Sequence, residues 1–190
     1  MYQSEKPLIR LETEHQLRIY SLPLRQKILR TMRIHGEPIT AKQVADHLGI
    51  SPSSSRHHLL KLREIGLVEH DRYELIHGIR ADYLRLTDVN VSIGTNLDDP
   101  LSFQREATTR IILSDITNRF MDTLSNQRNE SMKDPNHFSG DLITGIAHLS
   151  QADAKRLYDM VGTFLDEHAL PTGNDESAWE FAFLCYETNH

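Results

Sequence analysis

With 190 residues, 38% of them hydrophobic and 25% charged, the chain has the composition of one ordinary or two small globular domains, which excludes disordered and fibrous classes. No run of about 18 apolar residues is present to span a bilayer. The first ten residues carry Glu5, Lys6 and Pro7 rather than the apolar core of a secretory signal. A single cysteine, Cys185, leaves no intrachain disulfide and no cysteine-rich zinc site, so a cytoplasmic protein is expected.

The net charge of −6 divides unevenly. Residues 1–90 hold 14 Lys and Arg against 11 Asp and Glu, whereas residues 91–190 hold 7 against 16. A sign reversal halfway along suggests two parts with different partners.

The pattern over residues 8–22 is mixed, with Leu17 and Tyr20 as contacts of a leading helix. Pro23 opens a clearer helix, because a first turn has no use for the N–H that proline lacks. Leu24, Ile28, Leu29 and Met32 follow at helical spacing, and Gly36 ends it. Thr40, with Gln43 three residues on, has the form of a reciprocal helix cap. Val44, Ala45 and Leu48 form the apolar face of that second helix, which stops at Gly49. Ser51 and Pro52 then start a third helix running to Gly66, with Leu59, Leu62 and Ile65 inward and the small Ser55 on the same face. Beyond Gly66 the period changes to that of strands. Residues 67–76, a turn at His77-Gly78 and residues 79–87 predict a hairpin. This order of elements is that of a winged helix-turn-helix.

Residues 88–100 have the polar composition of a linker. A long helix is expected over about residues 101–128, its stripe of Ile112, Ile116, Phe120 and Leu124 offering possible dimer contacts. Residues 126–136 suggest a loop and residues 141–149 a short strand. Ser150 starts another helix with Leu157, Met160, Val161, Phe164 and Leu165 on one face. Residues 171–177 suggest a second loop. Trp179, Phe181, Phe183 and Cys185, alternating with other side chains, predict a final strand. The expected class is α+β, mainly α, with a winged helix-turn-helix over residues 1–90 and a dimerisation or effector region over residues 91–190.

The segment ITAKQVADHLGISPSSSRHHLLKLREIGLV resembles the winged helix-turn-helix of ArsR-like prokaryotic regulators. The upstream run SLPLRQKILRTM is similar to that family's first core helix, and RYELIHGIRADYLRLT to the wing of a branch with an appended C-terminal domain. The resemblance covers about residues 15–88 and implies a sequence-specific regulator of transcription, acting as a homodimer on a palindromic operator and usually repressing. Double-stranded DNA and a second copy of the chain are the implied partners, with an unidentified apolar effector allowed for by the aromatic C-terminal segment.

A helix that enters the major groove needs small or polar side chains near its N-terminus. Ser51, Ser53 and Ser54 meet that need, and their hydroxyls can bond phosphate. Arg56 suits a paired hydrogen bond to guanine, with His57 beside it; Lys61 and Arg63 suit phosphates further along. Residues 51–63 contain no acidic side chain. In the wing, Arg72, His77 and Arg80 are candidates for the minor groove or its phosphates. His58 abuts the inward stripe, and the resemblance gives it a packing role.

Some members of the family sense metals through two cysteines near the start of the second helix. Here that stretch is TAKQVADH, so soft-metal sensing there is not expected; eleven histidines leave room for a zinc or nickel site, for example with Asp166, Glu167, His168 or His190, but no His-x-x-x-His pair or other ligand spacing supports one. No phosphate loop, Gly-x-Ser-x-Gly or His-Glu-x-x-His motif occurs, so neither a cofactor nor enzymatic activity is expected. The modest positive charge of the first half also admits a protein-interaction module whose acidic half docks a basic partner.

Overall fold

The structure, a computed structural model, describes residues 6–188 except residue 96, residues 132–137, residue 139 and residues 174–175. Side chains of Ile79 and residues 127–131 also lie outside the description.

Leu8–Arg10 form a short strand, β1, and Thr13 then caps helix α1 (Glu14–Ser21). The Thr13 hydroxyl accepts from the Gln16 N–H while the Gln16 side-chain oxygen accepts from the Thr13 N–H, so two otherwise unpaired backbone donors each find a side-chain acceptor. Helix α2 (Pro23–His35) begins on proline and ends at Gly36. After strand β2 (Ile39–Thr40), the same reciprocal cap between Thr40 and Gln43 starts helix α3 (Ala41–Leu48). Gly49, at φ +64°, closes α3 in the left-handed conformation that favours glycine, and so frames the tight turn into helix α4 (Pro52–Glu64).

Strands β3 (Val68–Ile76) and β4 (Ile79–Leu86) make the wing. His77 at φ +51° and Gly78 at φ +79° form its two-residue turn, whose twist matches that of an antiparallel pair. β2 lies on the other side of β4 through Ile39↔Leu84, giving the order β2-β4-β3. Strand β5 (Asn90–Ser92) pairs in parallel with β1, matching Leu8 to Asn90. Helices α5 (Ser102–Ser131) and α6 (Gln151–Glu167) follow, the latter capped by Ser150 on the Asp153 N–H.

Among the described residues the chain separates into two compact units. One takes in residues of Ser4–Ile111 and Leu170–Ala178; the other takes in residues of Ile112–Ala169 and Trp179–His190. The first has a dry core: Ile28 and Leu29 from α2, Val44 from α3, Leu59 and Leu62 from α4, and Val68 from β3 are all but inaccessible. In the second unit no described residue is buried.

Three expectations need correction. Residues 88–100 are not wholly a linker, as they contain β5, which pairs with Leu8–Arg10. Residues 126–131 continue α5 rather than forming a loop; the remainder of that expected loop, residues 132–136, lies outside the described residues. Residues 141–149 and 179–186 are not strands within this chain. Alternation supplies a face, but a strand also needs a neighbouring edge for its backbone, and the described residues give these segments none. Of the second expected loop, residues 174–175 lie outside the described residues.

Candidate nucleic-acid interface

Two faces of α4 follow directly from its register. Ser55, Leu59 and Leu62 are buried, and one helical turn of 3.6 residues puts Ser53, Arg56, His57 and Leu60 on the opposite, exposed side. Ser51 is held in place by its own cap, its hydroxyl accepting from the Ser54 N–H at 3.2 Å and lying 3.1 Å from the Ser53 hydroxyl. The helix N-terminus therefore presents serine hydroxyls and backbone N–H groups together. Among the described residues no carboxylate pairs with Arg56 or Arg63, so both cations project uncompensated into solvent.

Lys61 differs. Its ammonium lies 2.7 Å from Glu64, whose other carboxylate oxygen lies 2.5 Å from His15 Nε2. Glu64 is the first acidic side chain after the serine-led run, and by helical phase it continues the Ser53–His57–Leu60 stripe. The Lys61 hydrogen bond, with that of His15 next, holds its carboxyl at about 2, well below the usual carboxylate range. Glu64 is thus a permanent anion in the neutral range, and it occupies the cation that sequence assigns to phosphate.

Behind the recognition face, Arg25 of α2 is buried and donates to the Ile19 carbonyl at 3.1 Å. Burial lowers its pKa, partly offset by the charge of Glu64. His58 is half-buried with its ring 5.2 Å from that of His57, and its Nδ1 has no hydrogen-bond partner among the described residues. Burial first, then the charges of Arg25 and His57, push its pKa down. It sits between the core and the exposed stripe, as a packing residue would.

The wing treats its two arginines unequally. Arg72 is clamped by Glu74 and Asp71, each at 2.7 Å, and lies over the Tyr83 ring at 4.4 Å. Its charge is largely answered within the wing. Arg80 has its guanidinium 3.4 Å above the Tyr73 ring, which orients it without neutralising it. His77 is exposed at the turn beside it. The expected dimer residues Ile112, Ile116, Phe120 and Leu124 are each half-buried.

Sequence reading passed over Leu60, which is 51% exposed on the recognition stripe. The signal was available: it lies four residues after Arg56, off the Leu59–Leu62 stripe. It was masked by its neighbour, since Leu59-Leu60 looks like a single apolar patch until the helix is phased.

Residues 20–71 match the family model described as a helix-turn-helix domain. Three helices, a tight α3–α4 turn and the β3–β4 hairpin make this a winged helix-turn-helix in an α+β chain. The chain is accordingly a DNA-binding protein of the transcription-regulator class, similar over this segment to ArsR-like regulators. Among solved structures it is also similar to one titled "Structure of Disulfide formed AbfR", at 19% identity over 62% of this chain and 81% of that chain. The TM-score is 0.34. No curated protein matches the sequence. Among the described residues no helix is long and apolar enough to cross a membrane.

Proposed function

We propose that the protein is a cytoplasmic, homodimeric repressor that reads a palindromic operator through α4. The observation that carries this reading is the outward stripe of α4, where Ser53, Arg56, His57 and Leu60 stand exposed and Arg56 has no carboxylate partner among the described residues. Arg56 has the length and fork geometry for O6 and N7 of guanine, Leu60 is an apolar contact for a thymine methyl, and Ser51, Ser53 and Ser54 fix the helix against phosphate. Arg63 adds phosphate contact, and Lys61 does so to the extent that Glu64 releases it. Arg80 and His77 carry the wing toward the backbone or minor groove, with Arg72 held back by its two carboxylates.

A two-fold dimer follows from the logic of a palindrome, since two recognition helices must sit about one helical turn of DNA apart. The protein acts by occupying its site rather than by chemistry, and an apolar effector acting on the C-terminal unit would bias that occupancy. Selection of bound sequences from a random duplex pool tests the proposal. A recovered inverted repeat with half-sites about 10 bp apart is the expected result; recovery of no enriched sequence would overturn it.

A further inference from the structure

In the unit built from residues of Ile112–Ala169 and Trp179–His190, apolar side chains are present but not covered. Leu142, Ile143 and Ile146 are 70%, 93% and 79% exposed, and Trp179, Phe181 and Tyr186 are 58%, 57% and 81% exposed. Tyr158, Met160 and Phe164 of α6 add further uncovered surface. At roughly 200 Å² for each large side chain, these nine expose on the order of 1,200 Å² of mostly apolar surface. A stable interface takes about 800 Å² from each partner.

The backbone makes the same point independently. Residues 141–149 and 179–186 run without turns, yet neither belongs to either of the two sheets. The second of them is nonetheless placed: Arg119 bonds Glu180 through both its Nε and a terminal nitrogen at 2.9 Å. The Tyr158 and Phe183 rings lie 6.0 Å apart, and Gln151 bonds Glu187. The last segment thus tracks antiparallel to α6 with a strand-like edge left open. Residues 142–147 and 181–186 contain no charged side chain, and such an edge is a template for pairing.

We infer that residues 141–149 and 179–186 form the docking surface for a second copy of this chain, pairing with it as β-strands and covering the apolar faces of both copies. An identical copy is the partner that fits, because a strand edge is self-complementary when paired antiparallel across a two-fold axis and an uncharged surface selects no charged partner. The area available matches what such a dimer needs. The α5 stripe, already half-buried, has less surface to give. This inference rests on the dimer proposed above and names its surface.

Hydrogen–deuterium exchange read by mass spectrometry on the full chain, alongside light-scattering mass, tests it. The expected result is a mass of twice 21.9 kDa, with amides of both segments slowed on the order of tenfold or more and released on dilution to monomer. A dimer whose two segments exchange freely would overturn this surface and leave the dimer standing. Protection that persists in the diluted monomer would show pairing within one chain and overturn it too. A monomer at every concentration would remove both the surface and the dimer.

Discussion

Replacing Glu64 with glutamine should strengthen DNA binding, although the substitution adds no contact. In the structure the carboxylate lies 2.7 Å from the Lys61 ammonium and on the phase of the recognition stripe. It cancels a cation placed for phosphate and adds an anion facing the same polyanion. Glutamine keeps the size and removes both effects. Each copy neutralises one further phosphate, so the proposed dimer adds about 1.8 to the magnitude of the slope of log K against log salt, which at 0.1 M salt is roughly a sixtyfold gain in affinity. Fluorescence anisotropy of a labelled duplex across a salt series reads both quantities. Lys61→Ala supplies the companion measurement: a small loss in the native chain and a larger one beside Glu64→Gln. Melting followed by circular dichroism should show little change, because an exposed ion pair contributes little. An affinity and a salt slope both unchanged by Glu64→Gln would refute the reasoning and remove Lys61 from the interface.

Arg56→Ala should relax sequence preference, costing about 1–3 kcal/mol per half-site on the preferred duplex and much less on random duplex; an equal loss on both would reassign Arg56 to phosphate. Ser55 is fully buried with a hydroxyl that has no partner among the described residues, so Ser55→Ala should stabilise the fold by ~1 kcal/mol in urea unfolding, through better helix propensity and relief of an unpaired polar atom. A loss of similar size would show that the hydroxyl is bonded in solution. Burial lowers the His58 pKa from its ordinary 6.5, so the unfolded chain takes up that proton more readily. The histidine's contribution to stability is therefore whole above pH 6.5 and declines as pH falls below it. His58→Gln should flatten that part of the stability curve, and an unaltered curve would exclude His58 as its source.

How far the sequence carried depended on whether the information was local. The Thr40–Gln43 cap, the proline starts at Pro23 and Pro52, the Gly49 stop and the His77-Gly78 turn are each set within a few residues, and all are legible. The parallel pairing of Leu8–Arg10 with Asn90–Ser92 joins segments some eighty residues apart and leaves no local mark. The same holds for β2, whose two residues become a strand only because β4 offers an edge. Alternation in residues 179–186 was legible, but alternation cannot say which chain provides the neighbouring strand. Within the site, the outward placement of Arg56 follows from helical phase alone. The Lys61–Glu64 pair is local too, three residues apart on one helix, but the bond of His15 to Glu64 is not, because His15 arrives from α1.

The claim on which the rest depends is that the exposed stripe of α4 engages duplex DNA. Titrating the full chain with a duplex at 50 mM and 200 mM salt tests it directly. Six or more phosphate contacts from two copies predict an affinity loss of about a thousandfold or more across that interval. Binding that is absent at both concentrations, or that does not change between them, would contradict the claim.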